Sequence, residues 1–155
     1  MKLSDIIIPD AIIADLKDAT RDDAIEQLVG ALAEAGAISK RSVKDAVAAV
    51  LDREKKATTG IGRGVALPHA KLSSCKNVVG TIGRSSTGID FSSLDSKPVH
   101  IVILLLSSLE NPDEHLQAME TIFKHVQRDI FRRFLRQSET REAIVDLVAE
   151  ADELA

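Results

Sequence analysis

The chain has little cysteine and few aromatic residues. Of its 155 residues, one is cysteine (Cys75) and four are phenylalanine, while tryptophan and tyrosine are absent. A single cysteine excludes an internal disulfide bond and a zinc site built from cysteines, and it is typical of a reducing compartment. With so few aromatic side chains, the sequence also lacks the interleaved stacking residues that are typical of single-stranded nucleic-acid binding.

Neither sign of charge dominates, and long apolar runs are missing. There are 20 basic and 24 acidic residues, for a formal charge of −4, so no broad attraction for nucleic acid is expected. No apolar run approaches the roughly 20 residues that a membrane-spanning helix needs. The N-terminus shows no apolar segment followed by a small-residue cleavage site. We therefore expect a cytoplasmic protein that binds no nucleic acid and does not insert directly into a membrane.

The length fits one domain covering 1–155, and helical periodicity accounts for much of it. Thr20 is typical of an N-cap, and apolar residues recur at helical spacing behind it until Gly36. A second helix is predicted to begin at Ser39 or Ser42 and to carry Arg53 in its last turn. Three further helices are predicted after residue 111.

The strands are expected between these helices. Short apolar, strand-compatible segments are found at 11–16, 65–67, 78–84 and 99–106. The last is almost uninterruptedly apolar, which favours a central strand covered on both faces. Segment 85–98 is rich in serine, with glycine and proline, and is predicted to be a surface connection. The fold class expected is α/β, a small mixed β-sheet with helices packed on both faces in three layers.

A histidine follows a proline at the end of a short predicted strand. Pro68 would end that strand, and His69 directly behind it would present its imidazole at an edge of the sheet. Gly60, Gly62 and Gly64 precede the strand, and a glycine loop permits positive φ and can turn backbone N–H groups toward an anion such as phosphate. From these residues alone, a tight turn without a ligand is the stronger alternative, because the spacing matches neither the Rossmann fingerprint nor the P-loop.

A longer pattern surrounds His69. It runs Glu54, six further residues, Ile61-Gly62, two further residues and Val65-Ala66-Leu67-Pro68-His69-Ala70. This pattern resembles the phosphorylation-site signature of the fructose/mannitol-type (type 2) IIA domains of the bacterial phosphoenolpyruvate-dependent phosphotransferase system. The resemblance covers essentially the whole chain. It is strongest to the nitrogen-regulatory branch, because no transporter, IIB or carrier domain is joined to the chain. Ala70 stands where family members commonly have glycine.

The resemblance implies a reaction for His69. The histidine would accept a phosphoryl group from the phosphohistidine of the small carrier protein HPr, or of its nitrogen-branch relative. A neutral imidazole is a competent nucleophile near pH 7, and its phosphoramidate stays reactive enough to pass the group on. Transfer through a loose transition state needs positioning and cations more than new covalent chemistry. No metal and no diffusible cofactor are implied.

The resemblance also extends the site in both directions along the chain. Arg53 resembles the family's active-site arginine, whose fork could hold phosphoryl oxygens; a helix-terminal cation favoured by the dipole is the alternative. His115 resembles the second active-site histidine, a hydrogen-bond donor to phosphohistidine; the alternative is a boundary histidine with a packed ring. Thr59 could donate its hydroxyl to the phosphoryl group or cap the loop, and both interpretations stay open. The predicted phosphate-binding loop comprises Thr59, Gly60, Gly62 and Gly64.

Three functions follow from this interpretation. The first is phosphotransfer with a regulatory target protein. The second is phosphotransfer to a separate IIB component in sugar transport. The third is a sensory binding module that has kept the fold without turnover. A module without phosphotransfer would have no chemical use for Arg53, His69 and His115 together, which argues against the third.

The remaining histidines, Cys75 and a group of arginines carry no motif. His100 lies inside the apolar strand 99–106 and is expected to be structural, and Cys75 likewise, while His125 has no supporting pattern. The basic patch is predicted to be a solvated helix face, with a partner contact as the alternative. Its members are Arg128, Arg132, Arg133, Arg136 and Arg141.

Overall fold

The computed structural model describes residues 1–17 and 19–153. Over these residues the chain forms five α-helices and five β-strands. The helices are α1 (Arg21–Glu34), α2 (Val43–Lys56), α3 (Pro112–Val126), α4 (Asp129–Gln137) and α5 (Arg141–Glu153). The strands are β1 (Gly60–Gly62), β2 (Val65–Ala66), β3 (His69–Leu72), β4 (Val79–Ile89) and β5 (Val99–Ser108). Every described helix is too short or too polar to cross a lipid bilayer.

Helix α1 begins where the sequence predicts it. The Thr20 hydroxyl accepts the N–H of Asp23 at 3.2 Å, and the Asp23 carboxylate accepts the N–H of Thr20 at 3.2 Å. These reciprocal bonds satisfy two backbone donors that the first turn leaves open. Helix α2 begins directly after Ser42, as predicted, but no side chain caps it, because Ser39 and Ser42 bond to each other through their hydroxyls at 2.7 Å. A 3-10 turn, Lys40–Ser42, leads into α2 instead.

The sheet is organised around β5. Strand β4 pairs with it antiparallel on one side. On the other side, β2 and then β3 pair with it in parallel, Val65 opposite Ile101 and His69 opposite Leu105, and β1 pairs antiparallel with β2. Apart from its second residue, all of β5 is buried. The central position predicted for this strand is therefore confirmed.

Two predictions about strands were wrong. Segment 11–16 is not a strand, because a 3-10 turn at Pro9–Ala11 redirects the chain and Ile13 touches the sheet only through an isolated bridge to Gly83. The connection predicted at 85–98 is partly strand, because β4 continues through an irregularity in its pairing after Arg84 and rejoins β5 at Ile89. Backbone hydrogen bonding with β5 thus overrides the turn-forming composition of this stretch.

Helices cover both faces of the sheet. Alternate residues of β5 point to opposite sides: Val102, Leu104 and Leu106 pack with α1 and α2. Ile101, Ile103 and Leu105 pack with α3, α4 and α5. Both clusters are closed to solvent. The three-layer α/β class is confirmed.

We predict that adding one methyl group destabilises the fold at Gly83 and stabilises it at Gly30. A Cβ on Gly83 of β4 would lie 2.6 Å from Leu16 Cδ1 and 3.0 Å from Leu28 Cδ2, both buried. Gly83→Ala should therefore lower the free energy of unfolding by about 1–3 kcal/mol. Gly30, inside α1, has nothing within 4 Å of such a Cβ. Gly30→Ala should raise the free energy of unfolding by about 0.5–1 kcal/mol. Urea denaturation measures both, and a Gly83→Ala protein as stable as the unmodified chain would contradict the packing described.

Candidate active site

His69 is fixed to the sheet rather than carried on a loop. It is the first residue of β3 and lies opposite Leu105 of β5. Strand β2 ends at Ala66, and Leu67 and Pro68 form the break before β3. The Pro68 carbonyl accepts the N–H of Leu105 at 3.0 Å, so the chain stays parallel to β5 across the break. Pro68 ends the strand as predicted, and the chain pairs with β5 again from His69 onward.

A backbone hydrogen bond determines the tautomer of His69. Its Nδ1 lies 2.8 Å from the carbonyl oxygen of Leu67. A carbonyl oxygen only accepts, so Nδ1 carries the proton and the lone pair of the neutral ring is at Nε2. Burial lowers the pKa of His69 below 6.5; the bond to Leu67 opposes this, and the charge of Arg53 adds to it. The ring is therefore neutral near pH 7.

His115 lies beside His69. It sits in the first turn of α3, which Asn111 caps by accepting the N–H of Glu114 at 3.2 Å. The two imidazole centroids are 5.5 Å apart, with their planes tilted by 47°. The Nδ1 of His115 is 2.5 Å from the hydroxyl of Ser107, and the residue is only 9% exposed. Burial, reinforced by the charges of His69 and Lys71, lowers the pKa of His115 to about 4. The structure thus brings both predicted histidines together as neutral rings.

Two cations act on this pair. Arg53 lies in the last turn of α2, where its Nη1 donates to the carbonyl of Ala57 at 2.8 Å, and its charge lowers the pKa of His69. Lys71 lowers the pKa of both histidines. Because side chains alternate along a strand, His69 and Lys71 project from the same side of β3. The Glu54 carboxylate raises the pKa of His69, but by less than Arg53 lowers it, so the net charge acting on the histidine pair is positive.

A buried carboxylate supports the segment in front of the site. Glu54 accepts the N–H of Thr59 at 2.7 Å and the hydroxyl of Thr59 at 2.5 Å. The Thr59 carbonyl accepts the N–H of Leu67 at 3.1 Å, and the Leu67 carbonyl accepts from the His69 ring. A continuous series of hydrogen bonds thus joins α2 to the imidazole. Since the Thr59 hydroxyl is bonded to Glu54, the geometry favours its capping alternative, and a contact with phosphate stays a prediction.

The loop glycines occupy places that the turn itself requires. A Cβ on Gly60 would collide with Ser93, and the N–H of Gly60 donates to Thr58 at 3.0 Å. Gly62 and Gly64 have φ of +95° and +80° in the tight turn between β1 and β2. The Gly64 carbonyl accepts the N–H groups of residues 100 and 101, roughly 13 Å along β5 from the partner of His69 at about 3.3 Å per residue. Phosphate binding by these glycines stays a prediction, and the geometry favours the tight-turn alternative.

Three neighbours of the histidine pair were not predicted as site residues. Glu54 stands in the pattern that carries the family resemblance, so the sequence contained a signal for it. Lys71 could have been found from the alternation of side chains once β3 was known. Ser107 carries no local signal, because only the packing of α3 on β5 brings its hydroxyl to His115.

A family model matches almost the whole chain. The family model for the "Phosphoenolpyruvate-dependent sugar phosphotransferase system, EIIA 2" matches residues 5–151. The chain belongs to this family, and the resemblance drawn from the residues around His69 is confirmed. Members of this family are phosphotransfer proteins of the phosphotransferase system.

Relatives of two kinds are similar in sequence. A nitrogen regulatory protein of Bradyrhizobium diazoefficiens is 34% identical over 149 residues, 96% of this chain and 95% of that protein. A fructose-specific EIIA component of Haloferax volcanii is 33% identical over 135 residues, 87% of this chain and 86% of that protein. The fructose-specific EIIABC component of Bacillus subtilis is 31% identical over 152 residues, and the chain spans 24% of its length.

Solved structures share the fold. The nitrogen regulatory protein IIA-Ntr of Neisseria meningitidis superposes with a TM-score of 0.84 at 24% identity, over 94% of this chain and 98% of that one. The mannitol IIA enzyme of Escherichia coli, in its complex with phosphorylated mannitol IIB, gives a TM-score of 0.75 at 20% identity over 91% and 95%. At these identities the likeness shows the fold alone.

We predict that His115 makes stability depend on pH. Its pKa is about 4 in the folded chain and 6.5 in the unfolded chain, so between these values the unfolded chain binds a proton that the folded chain does not. Stability should therefore fall as the pH is lowered through this window. Between neutral pH and about pH 4.5, the loss in the free energy of unfolding should be smaller in His115→Gln by roughly 1–3 kcal/mol. Urea denaturation at the two pH values measures this difference. An NMR titration that places the pKa of His115 near 6.5 would contradict this account.

Proposed function

We propose that His69 accepts a phosphoryl group at Nε2 from the phosphohistidine of an HPr-type carrier protein. The observation that carries the proposal is the hydrogen bond from Nδ1 to the Leu67 carbonyl. It places the lone pair of a neutral ring at Nε2 on a partly exposed side chain. A nucleophile in this state needs no base to remove a proton before attack.

The transfer balances without a proton acceptor. Nε2 of His69 attacks the phosphorus, the bond between phosphorus and the donor's imidazole nitrogen breaks, and its electron pair returns to the donor ring. The donor ring, which carries a proton on its other nitrogen, leaves as a neutral imidazole, while the new bond at Nε2 makes the His69 ring formally cationic beside a dianionic phosphoryl group. Its Nδ1–H continues to donate to Leu67. One phosphoramidate replaces another, so the group remains transferable.

The neighbours of His69 can stabilise the phosphoryl group during its transfer. Arg53 and Lys71 supply positive charge near the ring, where a loose transition state spreads negative charge over three oxygens. His115 would donate from Nε2 to one of these oxygens. That role requires the Ser107 hydroxyl to donate to Nδ1 of His115, which their 2.5 Å separation permits.

Exposed apolar side chains at the same end of the sheet support docking of a carrier there. Leu116, directly after His115, is 58% exposed, and Leu109, just beyond β5, is 55% exposed. The N–H of Leu109 donates to Leu72 at the end of β3, which ties this leucine to the strand that begins at His69. Large exposed apolar residues beside a reactive group are typical of a surface that binds a partner protein.

We expect phosphorylation to require His69 and to be accelerated by Arg53. Incubation with phosphoenolpyruvate, enzyme I and a cognate HPr-type carrier should place acid-labile phosphate on the unmodified chain and none on His69→Ala. Arg53→Gln should slow labelling by at least about tenfold, because a cation at the developing charge is lost. Arg41→Gln is the matched control, since Arg41 is exposed and precedes α2. An unlabelled native chain, as the binding-module alternative requires, or labelled His69→Ala would refute the proposal.

The destination of the phosphoryl group is the second part of the proposal, and we propose a regulatory target protein. The Bradyrhizobium nitrogen regulatory protein, matched over 95% of its length, supports this output. The Haloferax fructose-specific component, similar at 33% identity, supports the alternative of transfer to a IIB component.

Transfer assays separate the two destinations. Phosphorylated chain should keep its label when mixed with purified fructose-type and mannitol-type IIB proteins. In the same experiment, a transport-type IIA should lose its label to the cognate IIB, which serves as the positive control. Rapid loss of label from this chain to either IIB would overturn the regulatory assignment and leave phosphorylation of His69 intact.

A further inference from the structure

A basic cavity opens at the end of the sheet opposite His69. Its volume is about 840 Å³. Its cationic side chains come from the turn between β1 and β2, the approach to β5, and α4: Arg63, Lys97, Arg132, Arg133 and Arg136. Gly64, in the turn before β2, and His100, the second residue of β5, also line it. This basic cavity is not part of the site described above.

Helix α4 forms one wall through a regular stripe. Residues 129, 132, 133 and 136 recur at the spacing of one helical face and line the cavity. The other faces of α4 carry buried Phe131 and Leu135 and exposed Ile130 and Phe134. The basic patch predicted between 128 and 141 is therefore divided, because Arg128 borders a different cavity and Arg141 donates to the carbonyl of Ile12 at 3.1 Å.

Both carboxylates of the basic cavity are already engaged. Asp129 pairs with Arg132 and Arg133 on its own helix. Asp95 accepts the backbone N–H of Lys97 at 3.1 Å and of Arg63 at 3.0 Å, which lowers its pKa. Asp95 thus joins the two loops that bring Arg63 and Lys97 to the cavity.

Three cations of the basic cavity have no acidic partner. Across residues 1–17 and 19–153, no carboxylate lies within 4.0 Å of the charged groups of Arg63, Lys97 or Arg136. The lining holds five cations and two carboxylates, although the whole chain carries a formal charge of −4. Like charges gathered in one concavity repel one another unless an anion joins them.

The turn at Arg63 adds a second observation. Arg63 has φ of +60°, between two glycines that also have positive φ. A non-glycine residue in this region costs on the order of 1 kcal/mol. A third glycine would suit the backbone better. The arginine side chain is thus held at the rim of the basic cavity at a cost in backbone strain.

We propose that the basic cavity binds a small anion that carries a diphosphate group. Guanidinium forks match phosphate oxygens, and cations from three separate segments can contact two linked phosphates at once. A single phosphate carries about two negative charges near neutral pH, fewer than the excess in the lining, whereas a diphosphate carries about three. The volume lies within the range of roughly 300–1,000 Å³ typical of small-ligand sites. The cavity lies between α4 on one side and the loops that carry Arg63 and Lys97 on the other, which favours such a ligand over an acidic protein surface.

Calorimetric titration of the full chain tests this site. The probes are inorganic pyrophosphate, a nucleoside diphosphate and inorganic phosphate. Both diphosphates should bind saturably at one site per chain, more tightly than inorganic phosphate and more weakly at high ionic strength. A preference for the nucleoside diphosphate would identify a nucleotide as the natural source of the group. Equal affinity would assign recognition to the diphosphate alone.

Variants test whether pyrophosphate binds in the basic cavity and whether a loss of affinity could instead come from misfolding. Arg136→Gln and Arg63→Gly should each weaken pyrophosphate binding about tenfold, the loss expected when one charge-assisted bond disappears. Arg63→Gly also relieves the positive φ, so its fold should be at least as stable. Arg128→Gln removes the same charge outside the basic cavity and should leave affinity within about twofold. His69→Ala should bind normally, so this result is independent of whether His69 is phosphorylated.

Three outcomes would overturn the proposal. The first is the absence of saturable diphosphate binding at millimolar concentration. The second is an equal loss of affinity in Arg128→Gln and Arg136→Gln, which would indicate general electrostatic attraction. The third is tighter binding of a polyglutamate peptide than of pyrophosphate with the same dependence on Arg63 and Arg136. That result would assign the surface to an acidic protein.

Discussion

The rest of the structure depends on one constraint. Strands β2 and β3 pair, one after the other, with the same side of β5. Because both strands run parallel to β5, the short break at Leu67 and Pro68 stays in register with the sheet, and the Pro68 carbonyl bonds to Leu105. The break turns the Leu67 carbonyl toward the His69 ring. A continuous strand would direct that carbonyl into the ladder. The interruption is therefore what places the proton of the His69 ring at Nδ1 and its lone pair at Nε2.

The same arrangement separates the two ends of the sheet. The turn that contains Gly62 and Gly64 lies where β5 begins, while His69 and His115 lie toward its other end. Glycines close to a histidine in sequence are thus distant from it in space, and their positive φ serves the turn. The cations beside this glycine turn are those around Arg63, whereas Arg53 and Lys71 act on His69. The two phosphate-binding sites that we propose therefore lie at opposite ends of one small sheet.

Sequence pattern predicts the helices, which are long enough to show their period, and β5, which is a long and almost unbroken apolar run. It misses β1 and β3, which have three and four residues and exist through pairing with neighbours. His69 could be selected from Pro68 and the pattern around it. The meeting of His69 with His115 could not, because α3 must pack on β5 to bring it about, and only the family resemblance pointed there. Likewise, the five arginines between 128 and 141 are close in sequence and suggest one basic patch. In the fold, only Arg132, Arg133 and Arg136 lie on the same face of α4.

The electrostatics of the histidine pair link its charge to phosphorylation. In the unmodified chain, burial is the main reason why both rings are neutral; Lys71 adds to it at both histidines, and Arg53 adds to it at His69. A phosphoryl group on His69 would bring about two negative charges to the same place. That charge would offset Arg53 and Lys71 and raise the pKa of His115, because an opposite charge nearby favours the protonated ring. In the transfer that we propose, the environment that leaves the His69 lone pair at Nε2 would also stabilise the product, and the burial of His115 would limit the rise in its pKa.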